Sequence, residues 1–242
     1  MALIAPTPVK LSLLKLSTTS LPIGEGRFLD MVLGCYLIET SDGGHVLVDT
    51  GMTPGVRPQP TEGETNVMEK LAAVGLRPKD IDTVICTHFD VDHAGYHDAF
   101  PDAEFIVQRA HYDLARGGHE RLAAARPHWD HPSLRYRLID GDTEILPDLT
   151  LLETSGHVTG HQSVLVRLPR IGPVILAIDA VMMQRLFTSE RKKWPLDEDE
   201  EQLRASTRKL LEIAKRERVS LVVFGHDGEQ WRTLRQSPDF YD

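Results

Sequence analysis

Two cysteines in 242 residues, Cys35 and Cys86, are too few for a disulfide framework. Each sits inside an apolar, strand-like run, where a thiol acts as a small buried hydrophobe, so a reducing cytoplasm is the expected compartment. No apolar stretch approaches the length of a membrane span. Pro6 and Pro8 interrupt the apolar N-terminal stretch, which argues against a secretory signal. Positive charge is also short: 27 Lys and Arg stand against 36 Asp and Glu, a formal net charge of -9. That sign disfavours nucleic acid and anionic membrane surfaces and suits a neutral or weakly charged small substrate. There is no internal repeat, low-complexity tract or evident linker, so residues 1–242 are expected to form a single domain, with self-association left open. A hydrophobic content of 41% is enough for a substantial core.

Hydrophobic periodicity predicts an opening strand over Val9–Leu16, then strands over Leu33–Thr40 and His45–Asp49 joined by the turn Ser41-Asp42-Gly43-Gly44. Thr53–Gly63 holds three prolines and two glycines and reads as a loop that could cover a site. A short helix over Asn66–Val74 should stop at Gly75. Strands follow at Ile81–Cys86 and Ala103–Val107, with a helix at Arg109–Ala115. Glu120–Pro132 reads as a second irregular surface segment. Short strands are expected at Tyr136–Ile139, Glu144–Leu146, Thr150–Glu153, Ser163–Leu168, Val174–Ile178 and Leu221–Phe224. The longest helix, Glu198–Arg216, should bury Leu203, Leu210, Leu211 and Ala214.

The densest chemistry lies in Thr87-His88-Phe89-Asp90-Val91-Asp92-His93-Ala94-Gly95. Two imidazoles and two carboxylates fall within six residues, directly after the apolar run Val84-Ile85-Cys86, and a metal would relieve the repulsion between Asp90 and Asp92. The same residues could instead make a polar turn. Several other strand-like runs also end in a ligand type: His45–Val48 in Asp49, Leu151-Leu152 in His157, Val174–Ile178 in Asp179, and Leu221–Phe224 in His226. In layered α/β proteins such strand ends gather at one rim of a sheet. Neither cysteine has the surroundings of a thiolate nucleophile.

Taken together, these segments resemble the metallo-β-lactamase superfamily. The resemblance runs through Cys35-Tyr36-Leu37-Ile38-Glu39-Thr40, Val48-Asp49-Thr50-Gly51-Met52, the His88–Gly95 cluster, Gly156-His157-Val158-Thr159-Gly160-His161-Gln162-Ser163 and Phe224-Gly225-His226-Asp227. Within the superfamily the chain is most similar to N-acyl-homoserine lactonases. That resemblance implies an α/β fold, a four-layer αβ/βα sandwich with two mixed β-sheets, carrying two divalent metal ions, zinc first. Site one would use His88, Asp90 and His157; site two would use Asp92, His93 and His226; Asp179 would bridge them. The implied reaction is attack of a metal-bridging hydroxide on a lactone carbonyl, with Asp92 passing a proton to the leaving oxygen.

The chain departs from the family pattern twice. Asp90 stands where the family has a second histidine, which favours harder metals such as manganese or iron and could leave site one weak or empty. Met182 stands where the lactonases carry a tyrosine, and a thioether donates no hydrogen bond. Val181, Met182, Met183, Leu186 and Phe187 could line an acyl pocket, with Met182 and Phe187 the candidate substrate contacts, or could be ordinary packing. Another ester, lactam or phosphoester substrate, an iron-dependent redox role, or a catalytically silent binding role stay open as alternatives. Asp49 is expected to support the metals from behind, and His161 to be a structural hydrogen bonder. His45, His97, His111 and His119 are expected at the surface or at caps.

Overall fold

The computed structural model describes residues 5–56 and 63–242. Most of the Thr53–Gly63 loop therefore lies outside the described residues. β1 (Pro8–Pro22) and β2 (Phe28–Thr40) form a long antiparallel hairpin that extends well beyond the predicted strands. β3 (His45–Val48) returns along β2, and Gly43 supplies the positive φ that the turn between them needs. β4 (Thr83–Ile85), β5 (Glu104–Gln108) and β6 (Arg135–Ile139) add in parallel, giving a sheet ordered β1-β2-β3-β4-β5-β6. The second sheet takes β7 (Thr143–Leu146), β8 (Leu149–Glu153), β9 (Gln162–Leu168), β10 (Gly172–Ile178) and β11 (Leu221–Phe224) in the order β11-β10-β9-β8-β7. Its strands are antiparallel except for the β10–β11 pair. Both sheets are thus mixed, as expected.

The strands are apolar on both faces, so each sheet must be covered twice. Val46, Val48, Ile85 and Ile106 from the first sheet meet Leu151, Val164, Leu176 and Val223 from the second in one shared core. Their neighbours Leu47, Val84 and Phe105 point the other way, onto Val67 and Leu71 of α1 (Val67–Ala73) and onto Trp129. Asn66 caps α1 by accepting the Glu69 N–H at 3.0 Å. Behind the second sheet, Leu165, Ile175 and Ala177 pack under Leu210 and Ile213 of the long helix Glu200–Arg216. Four layers, helix, sheet, sheet and helix, follow from this pattern.

Three local expectations are corrected. Glu120–Pro132 lies at the surface as expected but is not irregular: short helices at Glu120–Leu122 and Arg126–Trp129 bury Leu122, Ala125 and Trp129, and Trp129 stacks on Phe89 at 5.0 Å. His97 and His111 are fully buried, not exposed or capping. In the long helix Ile213 takes the buried position expected of Leu211, while Ser206 and Thr207 are buried because their hydroxyls donate to the Ser155 and Leu203 carbonyls.

Candidate metal centre

The parallel strands deliver their C-terminal ends to one rim, where the backbone leaves the sheet sharply. Asp49 follows β3 with φ 60°. Ile178, the last residue of β10, has φ 51°, a costly conformation for a β-branched residue, and it turns Asp179 into the site. Gly225 follows β11, and a Cβ there would lie 2.8 Å from Asp179 Oδ1. Backbone strain and a required glycine thus concentrate beside one carboxylate.

Three groups of candidate ligands come together: His88, Asp90 and His157; His88, His93 and Asp179; and Asp92, His93 and His226. Every residue named for the two sites belongs to one of them. Each imidazole is oriented from behind through Nδ1. His93 Nδ1 lies 2.8 Å from Asp49 Oδ2, His157 Nδ1 2.8 Å from Asp197 Oδ1, and His226 Nδ1 2.9 Å from the Val32 carbonyl. The Thr87 hydroxyl donates to Asp49 Oδ2 at 2.7 Å, so it accepts from His88 Nδ1 at 3.0 Å. Those anchors fix a proton on Nδ1 of all four rings and leave Nε2 as the nitrogen a metal would take. The buried Nε2 atoms of His88 and His93 have no hydrogen-bond partner among the described residues. Two unpartnered buried ring nitrogens beside Asp179 fit a divalent cation. The all-nitrogen-and-oxygen donor set suits zinc, manganese or iron.

Without a cation this cluster holds protons. Burial opposes the imidazolium of His93, but Asp92, Asp179 and Asp49 outweigh it and raise the group to about 10. His226 is raised against burial by Asp179 and Asp92. Burial and the neighbouring charge of His93 push His88 well down. Burial favours a neutral Asp179, yet His226, His157 and His93 hold it well below the usual carboxylate range. Metal entry would therefore displace protons.

Two functional-looking residues carried no signal in the sequence. Asp197 orients His157 and also accepts from Arg191 at 3.1 Å in a fully buried ion pair. Arg121 reaches Asp90, with Nε 2.7 Å from Oδ1 and Nη2 2.5 Å from Oδ2. Only the general rule that an anion added to a buried cluster calls for a cation points to such a partner, and that rule gives no position for it.

His161 is the structural hydrogen bonder expected: Thr154 Oγ1 lies 2.9 Å from its Nδ1, and the Asp179 N–H donates to its Nε2 at 3.2 Å. His111 Nε2 likewise accepts the Phe89 N–H at 2.8 Å and so braces the loop that carries Asp90. Met182 is 1% exposed, and its carbonyl accepts the His226 N–H at 2.9 Å. Phe187 packs edge-on against Phe224 at 5.6 Å. A cavity of about 630 Å³ is lined by Phe28, Met183 and Asp227, the residue after His226, among others; its lining includes none of the candidate ligands, and neither Met182 nor Phe187. Phe28 is largely exposed.

A two-sheet sandwich with histidines and aspartates gathered at the strand ends defines a class. Residues 35–226 match the metallo-beta-lactamase superfamily, and the chain belongs to it. Over nearly its whole length it is similar to N-acyl homoserine lactonases. The enzyme from a Bacillus species is 35% identical over 240 residues, 93% of this chain and 92% of that one. The lactonase AttM of Azorhizobium caulinodans is 30% identical over 246 residues, 90% of each chain. A solved N-acyl homoserine lactone hydrolase, with the product N-hexanoyl-L-homoserine bound at its catalytic metal centre, superposes with a TM-score of 0.84 at 31% identity, covering 97% of this chain and all of the other.

Proposed function

We propose that this protein is a metal-dependent lactonase that opens the ring of N-acyl homoserine lactones, or a closely related small lactone, and so would silence quorum signals. The observation that carries the proposal is the set of Nδ1-anchored histidines around Asp179, in a chain similar to lactonases over nearly its whole length. Zinc is the proposed metal. His93, His226, Asp92 and Asp179 would hold it at site two: His226 Nε2 lies 3.0 Å from Asp179 Oδ1 and 3.7 Å from Asp92 Oδ2. The expectation of a second ion depends on site one. A bound divalent metal lowers the pKa of water and polarises a carbonyl.

Hydrolysis adds hydroxyl to the acyl carbon and a proton to the ring oxygen as the ester C–O bond breaks. Asp92 is the partly exposed carboxylate of the cluster, with a quarter of its side chain open, and is the group placed to pass that proton. Asp49 and the Val32 carbonyl keep the ring protons of His93 and His226 on Nδ1 throughout. Phe28 and Met183 are the apolar surface an acyl chain would meet in the cavity lined also by Asp30, Arg185 and Asp227. The two sheets share one core, which supports a single hydrolase domain. The buried free thiols Cys35 and Cys86 suit the cytoplasm, and among the described residues no helix is long and apolar enough to cross a membrane.

The test is acid release from N-acyl homoserine lactones of several chain lengths near neutral pH. Activity should vanish with chelator and return with zinc. Folded, metal-loaded protein that opens no lactone would refute the proposal.

A further inference from the structure

The four histidines of the centre are alike in their Nδ1 anchors but not in their Nε2 atoms. A neutral imidazole with its proton on Nδ1 has one in-plane lone pair on Nε2. At His88 and His93 that lone pair meets no donor among the described residues. At His157 it is taken, because Arg121 Nη2 lies 2.6 Å from Nε2 and a guanidinium can only donate.

Arg121 does not brush past the site; it is locked into it. Its five N–H groups all have acceptors: Nε on Asp90, Nη2 on Asp90 and His157 Nε2, and Nη1 on the Leu196 carbonyl at 2.5 Å and the His157 carbonyl at 3.2 Å. The side chain is mostly buried, and Glu198 adds an ion pair at 3.6 Å. Asp90 meets the guanidinium through both carboxylate oxygens, with Nε 2.7 Å from Oδ1 and Nη2 2.5 Å from Oδ2, a charge-assisted, two-pronged contact of the strong kind. A metal at site one would have to take the His157 lone pair from Arg121 and share Asp90 with it. Without those two, only His88 and Asp179 remain, short of the three protein ligands a catalytic zinc needs.

We propose that the Arg121 guanidinium is the resident cation of site one, so that this protein works with one divalent metal, bound by His93, His226, Asp92 and Asp179. The aspartate at position 90 and the arginine at position 121 act as a unit: Asp90 gives the guanidinium its counter-charge, and the guanidinium closes the second metal position. With all five donors committed, Arg121 has none to offer a substrate, and its part is to position Asp90 and His157. The inference rests on the metal-dependent hydrolase proposed above and specifies its metal content.

The experiment is metal analysis by mass spectrometry after equilibration with excess zinc and removal of free ions, with calorimetric titration of metal-free protein as a second count. The expected result is one zinc per chain for the wild type and two for Arg121→Ala, with Arg121→Gln as a milder variant and circular dichroism as the check on folding. Two ions in the wild type would overturn the inference, as would one ion in both folded variants, since Arg121 would then not be what closes site one. Lactone opening is read separately. A two-zinc wild type that opens lactones overturns only the inference; a one-zinc wild type that opens none overturns only the proposed activity; a chain that binds no zinc overturns both.

Discussion

Replacing His97 with phenylalanine isolates a stability effect that the fold builds in. The imidazole is fully buried, both ring nitrogens lack hydrogen-bond partners among the described residues, and the rings of Phe89 and Phe105 lie edge-on to it at 5.8 and 5.1 Å. Burial, with a smaller contribution from the charge of His128, lowers the group from 6.5 to about 3. The folded protein therefore refuses a proton that the unfolded chain accepts. Stability from this group is fully present above about pH 6.5 and is lost as pH falls towards about 3. Between about pH 7.5 and 5.5 the loss is about 1.4 kcal/mol, and by about pH 4.5 it is about 2.7 kcal/mol. At neutral pH the net effect of His97→Phe is a small difference between relief of unpaired nitrogens, about 1–3 kcal/mol, and overpacking of similar size. The change with pH does not suffer that cancellation, because phenylalanine does not titrate. Urea unfolding of both proteins with equal metal loading should show the variant gaining about 1.4 kcal/mol on the wild type between pH 7.5 and 5.5. Parallel stability curves over that range would refute the argument that His97 is buried and neutral.

Other perturbations bear on the centre and its supports. Asp197→Asn keeps the shape of a group that orients His157 but strips the counter-charge from buried Arg191, so unfolding in urea should show a loss of about 3 kcal/mol; unchanged stability would count against the pair. Gly225→Ala would place a Cβ 2.6 Å from the Ile178 carbonyl and 2.8 Å from Asp179 Oδ1, and calorimetry should find metal binding about ten- to a hundredfold weaker. Cys35 and Cys86 are buried, with burial raising both thiols and Asp49 adding to it, so an aromatic disulfide reagent should label neither in the native protein and both in denaturant.

Much of the fold was legible because its signals are local. Alternating and continuous apolar runs marked β3, β5 and β8 to within a residue or two, and Leu221–Phe224 matches β11. The hairpin ends beyond Leu16 and before Leu33 escape the sequence pattern because Ser17–Ser20 is polar throughout and Arg27–Met31 does not alternate, and cross-strand pairing extends both. His97 and His111 were misplaced for a related reason: histidine has no strong burial preference, and the contacts that bury these two come from Phe105 and from Thr159.

The candidate centre divides along the same line. The order and spacing of His88, Asp90, Asp92, His93, His157, Asp179 and His226 at strand ends are properties of the chain, and they point to a metal; their division into two sites is what the resemblance to the superfamily implies. What the sequence could not contain is which lone pairs stay free. That depends on where each imidazole's other nitrogen is anchored and on what approaches from distant segments: Asp197 behind His157 and Arg121 in front of it. Hydrogen-bond geometry is a property of distances between segments dozens of residues apart. Only the packed tertiary structure decides that Asp90 faces a guanidinium.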